Sequence, residues 1–196
     1  MSKTYIRCLE KKKISLDSKK CPSPFPGSHD LDLEAIDRAI TPLTRAILIN
    51  SPNNPTGKVY SKEMLGDLGK LLSKRSSGRD SPIFLISDEA YCRIVFEGTF
   101  APSPVSFYDY SLLVYTFGKS TLAPGERMGY IALSPRMKLE DREAMRESIT
   151  RACMTGNVSS TPLPFFEFWI LPLPKCIYSM LYSPKGRVVA SADRTS

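Results

Sequence analysis

Three short stretches put reactive and polar side chains at comparable positions after apolar runs. In TFGKSTLAPGERMGY, Lys119 lies three residues after Thr116 and eight before Arg127, and Pro124-Gly125 favours a turn between them. A hydroxyl and a guanidinium gathered around such a turn are competent to hold a phosphate. A lysine amine beside them is competent to form an imine with a carbonyl compound. In ISDEAY, Asp88 offers a carboxylate for a protonated ring nitrogen, and Tyr91 offers a phenol. In SPNNPTG, two amides sit between two prolines, and the Asn54 amide is competent to donate to a ring oxygen. A lone lysine after a strand is usually a surface lysine. The weight lies in the coincidence of all three stretches.

The elements that must position these groups follow from periodicity. RAILIN (45–50), SPIFLIS (81–87), SLLVYTF (111–117) and MGYIALS (128–134) are nearly continuous apolar runs, predicting strands buried on both faces. LDLEAIDRAI has helical spacing, with Leu33, Ile36 and Ile40 on one face and Asp32 as the starting cap. SKEMLGDLGKLLSKR predicts a helix from Ser61, with Gly66 and Gly69 lowering its propensity. A charged amphipathic helix is expected over 138–153. Alternating strands and helices predict an α/β fold, a mostly parallel sheet with helices on both faces. Ligands of such sheets bind beyond the carboxyl ends of the strands. Asn53-Asn54, Asp88 to Tyr91 and Thr116 to Lys119 all fall there. Pro52 and Pro55 restrict the loop so that Asn54 points inward, and Gly57 lets the chain leave toward the next helix.

The 196 residues suffice for one sizeable domain. Residues 1–29 form a basic leader expected to be irregular, 30–153 the α/β unit, and 154–196 a tail rich in proline and aromatics. In the tail, Pro162, Pro164, Pro172 and Pro174 oppose any long helix. It reads either as an irregular apolar docking tail or as a sequence that does not continue the preceding domain. The net charge of +7 comes largely from the leader, where Lys3, Arg7, Lys11, Lys12, Lys13, Lys19 and Lys20 face only Glu10 and Asp17. No aromatics interleave with that basic run, so no nucleic-acid partner is expected. Five scattered cysteines and the single His29 give no metal-ligand or disulfide pattern, which points to a reducing, cytoplasmic compartment. The apolar run 165–173 is too short to span a membrane.

In order and separation, SPNNPTGKVY, ISDEAY and YTFGKSTLAPGERMGY resemble the large domain of class I/II aminotransferases. These are fold-type I pyridoxal-phosphate enzymes of the aspartate aminotransferase superfamily. The resemblance covers roughly Leu31 to Cys153 and implies an incomplete large domain of that fold. It implies pyridoxal 5'-phosphate as cofactor, an amino acid and a 2-oxo acid as substrates, and a homodimeric assembly. It also implies that Asn54 and Tyr91 bind the cofactor's phenolic oxygen and that Asp88 binds its pyridine nitrogen. Thr116 and Arg127 would bind the phosphate. Lys119 would form the Schiff base and carry the substrate's alpha proton. Glu89 and Glu126 read as solvated or structural companions. Nothing in residues 1–29 matches the family's phosphate-cradling turn or its ring-stacking aromatic. No arginine is matched for the substrate carboxylate. The alternative expectation is therefore a catalytically inactive truncated fragment, or an interaction remnant without bound cofactor.

Overall fold

The computed structural model describes residues 29–120 and 129–152 with their side chains. It also describes the backbone of short strands at 4–8, 17–21, 172–173 and 176–179, and of a helix as far as 155. In chain order the strands are β1 (Thr4–Cys8), β2 (Asp17–Cys21), β3 (Thr44–Asn50) and β4 (Phe84–Asp88), then β5 (Ser111–Thr116), β6 (Gly129–Leu133), β7 (Pro172–Leu173) and β8 (Cys176–Ser179). The helices are α1 (Leu33–Ala39), α2 (Lys62–Ser76), α3 (Phe117–Ser120) and α4 (Leu139–Thr155).

Helix α1 starts at its predicted cap, and α2, expected from Ser61, begins at Lys62 with Ser61 as the cap. The Asp32 carboxylate accepts the Ala35 N–H at 2.8 Å, and the Ser61 hydroxyl oxygen accepts the Met64 N–H at 3.2 Å. Each such cap is worth about 1 kcal/mol. Leu65, Leu68 and Leu72 of α2 and Ile36 of α1 pack into one cluster with Ile47, Ile49 and Leu85 of the sheet. Full burial of each aliphatic side chain contributes roughly 1.5–3 kcal/mol relative to exposure. Gly69 is more than a weak helix former. A Cβ there would collide with the backbone carbonyl of Phe107, so the glycine lets α2 approach the β4–β5 connection closely.

The eight described strands form one sheet in the order β2-β1-β3-β4-β5-β6-β8-β7. The α/β arrangement read from the sequence is present, but the sheet is mixed. β3 pairs parallel with β4, and β4 with β5, while every other neighbouring pair is antiparallel. Parallel neighbours need a crossover, usually helical. α2 provides one between β3 and β4. The described part of the β5–β6 link is only the four-residue α3, and β6 returns antiparallel. Helices α1 and α2 cover one face at Ile47, Ile49 and Leu85, and the Tyr110 ring meets Phe84 edge-on.

The strands are less completely covered than the apolar runs predicted. In β4, Leu85 and Ser87 are buried while Phe84, Ile86 and Asp88 are half-buried, an alternation that marks one face as the better packed. The leader, read as irregular, contributes β1 and β2 as an antiparallel pair on the edge of β3. Pairing with an existing edge supplies what the short, polar segment DSKKC lacks in apolar periodicity. Within the tail, β7 and β8 continue the sheet beyond β6. Among the described residues, no helix is long and apolar enough to cross a membrane.

Candidate functional site

β3 ends at Asn50, and the chain then turns through SPNNPTG. The peptide bonds before Pro52 and Pro55 are both cis. Buried Asn53 organises the turn: its N–H donates to the Lys58 carbonyl at 2.9 Å, and its own carbonyl accepts the Gly57 N–H at 2.7 Å. The Thr56 hydroxyl donates to the Asn53 side chain at 2.9 Å. Gly57 has φ +70°, the left-handed conformation that favours glycine, and a Cβ there would meet nothing within 4 Å, so its use in the loop is conformational and not the avoidance of a clash. This leaves Asn54 exposed, with its Nδ2 donating to the Tyr91 hydroxyl at 3.1 Å.

β4 ends at Asp88, whose Cα neighbours in register are Asn50 and Val114. Its backbone carbonyl accepts two bonds from the β3 side, from Asn50 Nδ2 at 3.0 Å and from the Ser51 N–H at 3.3 Å. The Asp88 carboxylate accepts the Ala90 N–H at 3.2 Å, fixing the start of the turn that carries Tyr91. Glu89 turns the other way. It is only 5% exposed, and its Oε1 accepts the hydroxyls of Ser87 at 3.0 Å and Ser103 at 2.5 Å. Burial pushes its carboxyl above the ordinary glutamate range, and the two hydroxyls oppose that rise. Of the two roles read from the sequence, Glu89 takes the structural one.

β5 ends at Thr116, whose hydroxyl oxygen accepts the Gly118 N–H at 3.2 Å. The single turn α3 then presents exposed Lys119, with Nζ 5.8 Å from the Tyr91 ring centroid, within cation–π range. Rings buttress this end. Tyr115, 4% exposed, meets Phe117 edge-on at 5.4 Å and Tyr130 at 5.1 Å, and its hydroxyl bonds that of Ser120. Gly129 in β6 is required here, because a Cβ would strike the Tyr115 carbonyl. Arg127 and Glu126 lie outside the described residues.

Asn54, Asp88, Tyr91, Thr116 and Lys119 thus stand at the carboxyl ends of β3, β4 and β5. Tyr91 joins Asn54 on one side to Lys119 on the other. An amide N–H, a phenol, an amine, a carboxylate and a hydroxyl suit an aromatic ligand with an acidic oxygen, a ring nitrogen and an aldehyde. Pyridoxal phosphate has those groups, and the residues present fit it. A cavity of about 500 Å³ adjoins the Asn54–Tyr91 pair, lined also by Pro55, Ile94 and Phe96. Sequence reasoning missed Asn50, which bonds to both neighbouring elements, and the burial of Glu89. Asn50 stood at a strand end, the signal used for the others, but outside any recognised spacing.

These observations define a class: an α/β protein with a lysine, a carboxylate and an amide at adjoining strand ends of a parallel core. The pattern of the family described as aminotransferase class I and II matches residues 3–166, extending beyond the 31–153 stretch on both sides. A stretch of 113 residues is 36% identical to a probable aspartate aminotransferase of Methanocaldococcus jannaschii, covering 58% of this chain and 28% of that relative. Over 100 residues the chain is 41% identical to the aspartate/prephenate aminotransferase of Thermus thermophilus, covering 50% and 24%. A solved aminotransferase from Eubacterium rectale superposes with a TM-score of 0.58 at 40% identity, over 63% of this chain and 31% of that one. The chain belongs to the class I and II aminotransferase family. It spans about a quarter of the length of the curated relatives it matches.

Proposed function

We propose that this chain carries the cofactor-binding end of a pyridoxal-phosphate-dependent aminotransferase, moving an amino group between an amino acid and a 2-oxo acid. The observation that carries the reading is the Tyr91 junction, with the Asn54 amide 3.1 Å from its hydroxyl and Lys119 Nζ 5.8 Å from its ring centroid. Asn54 and Tyr91 would hold the phenolic oxygen, and Asp88 would pair with the ring nitrogen. Thr116, with Arg127, would hold the phosphate. When bound, pyridoxal phosphate supplies a protonated ring that draws electrons from the substrate's alpha carbon. Lys119 Nζ would hold the cofactor's aldehyde carbon and take up and return the alpha proton. The names of the two relatives support an amino acid and a 2-oxo acid as the small-molecule partners. A homodimer, a cytoplasmic setting and a site-bearing unit at 30–153 between leader and tail complete the proposal.

The test is spectroscopic. Incubated with pyridoxal phosphate, the full chain is expected to develop a visible absorption band that Lys119→Ala abolishes. No band at excess cofactor would sink the reading and leave the inactive fragment as the description of this chain.

A further inference from the structure

We propose that Asn50 is a positioning residue that sets the Asn54 donor in register with Asp88, and so fixes two of the site's contacts relative to one another. This rests on the proposed cofactor site. Asn50 is the last residue of β3, half-buried, and its side chain makes two bonds at once. Oδ1 accepts the Asn54 N–H at 2.7 Å, and Nδ2 donates to the Asp88 carbonyl at 3.0 Å. The partners fix the orientation of the amide. A carbonyl requires a donor and an N–H requires an acceptor, so a flipped amide would place like groups against each other on both sides. Its backbone carbonyl also accepts Asn53 Nδ2 at 3.4 Å.

The two bonds differ in what replaces them. The Asp88 carbonyl keeps the Ser51 N–H if Asn50 is removed. The Asn54 N–H has Asn50 as its protein acceptor, and Asn54 is otherwise an exposed residue on a loop. Asn50 is therefore the link through which the loop's position follows the end of β4. A side chain with a donor and an acceptor at this reach is what the geometry asks for. Alanine offers neither, and aspartate offers only the acceptor.

Residue-resolved amide hydrogen exchange on the full chain, paired with pyridoxal-phosphate titration, tests the assignment. In Asn50→Ala the Asn54 amide is expected to exchange about tenfold faster, while the core amides of Leu68 and Leu72 keep their protection. Cofactor affinity is expected to fall about tenfold, the effect of one lost hydrogen bond. Unchanged Asn54 exchange, equal acceleration in α2, or unchanged affinity overturns the inference. Should Asn50→Ala fail to fold, the near-isosteric Asn50→Asp carries the test. There Asn54 stays protected while affinity falls about tenfold, and unchanged affinity overturns the inference. If the parent chain takes up no cofactor, the proposed function fails by itself. The exchange comparison still decides whether Asn50 orders the loop.

Discussion

The two sides of the site are held by different mixtures of contacts. On the Asn54 side the supports are directional: Asn53, Thr56, Gly57 and Lys58 close the loop on itself, and Asn50 and Ser51 tie it to Asp88. On the Lys119 side the Thr116 and Tyr115 hydroxyls bond Gly118 and Ser120, and rings add to them, with Tyr115 and Tyr130 packed against Phe117, the first residue of the four-residue α3. Hydrogen bonds fix a donor in both distance and angle. A single helical turn is cheap to deform, since a nucleus gains little from its own backbone bonds. The difference matches the proposed division of labour. In that proposal Asn54 would stay aimed at one oxygen, whereas Lys119 would shift as it carries a proton.

Breaking the ring support is expected to have the largest effect on stability. Tyr115→Ala removes a 4%-exposed aromatic in contact with two others. Denaturant unfolding should register a loss of about 3–5 kcal/mol. The Lys119 turn should lose order first, seen as faster amide exchange there than at Asn54.

The polar side should respond less to single changes, with Glu89 its most sensitive point. Glu89→Ala leaves the hydroxyls of buried Ser87 and of Ser103 without their acceptor and is expected to cost about 2–3 kcal/mol. Glu89→Gln keeps an oxygen for both serines and isolates the charge. Burial raises the Glu89 carboxyl, so the folded chain holds its proton more tightly than the unfolded chain does. That contribution is full below the ordinary glutamate value and is lost as pH rises through the raised one. Unfolding measured across this window should show wild-type stability falling relative to Glu89→Gln. A parallel pH dependence would separate Glu89 from the effect.

Tyr91→Phe makes the smallest structural change and touches both sides. It removes the hydroxyl that accepts from exposed Asn54 but keeps the ring beneath Lys119. Stability should move by less than about 1 kcal/mol, because water can replace the lost partner. Pyridoxal-phosphate affinity should fall about tenfold, with the visible band retained. Loss of the band would place the ring or hydroxyl closer to the Lys119 chemistry than this comparison allows.

What could be read in the sequence follows the same line. The cap Asp32, the helix start at Ser61, the helical spacing after them and the apolar strands 45–50 and 111–117 are local signals, and they yielded the matching elements. Asn54, Asp88, Tyr91 and Lys119 were legible because each lies in a short motif at a strand end. The role of Asn50 and the burial of Glu89 were not, because both depend on partners distant in the chain. Asn50 bonds Asp88 across 38 positions, and Glu89 bonds Ser103 across 14. Gly69 carried a local helix penalty, while its use depends on the Phe107 carbonyl of another element. The mixed sheet was hidden for a related reason. Strand direction depends on how the connections run, and apolar runs do not encode it.

The central claim is that Lys119 is the amine that holds the cofactor. Borohydride reduction of the chain incubated with pyridoxal phosphate makes such an attachment permanent, and peptide mass spectrometry locates it. The account predicts one dominant modified residue, Lys119. Label concentrated on another lysine, or spread evenly over the surface lysines, would contradict it.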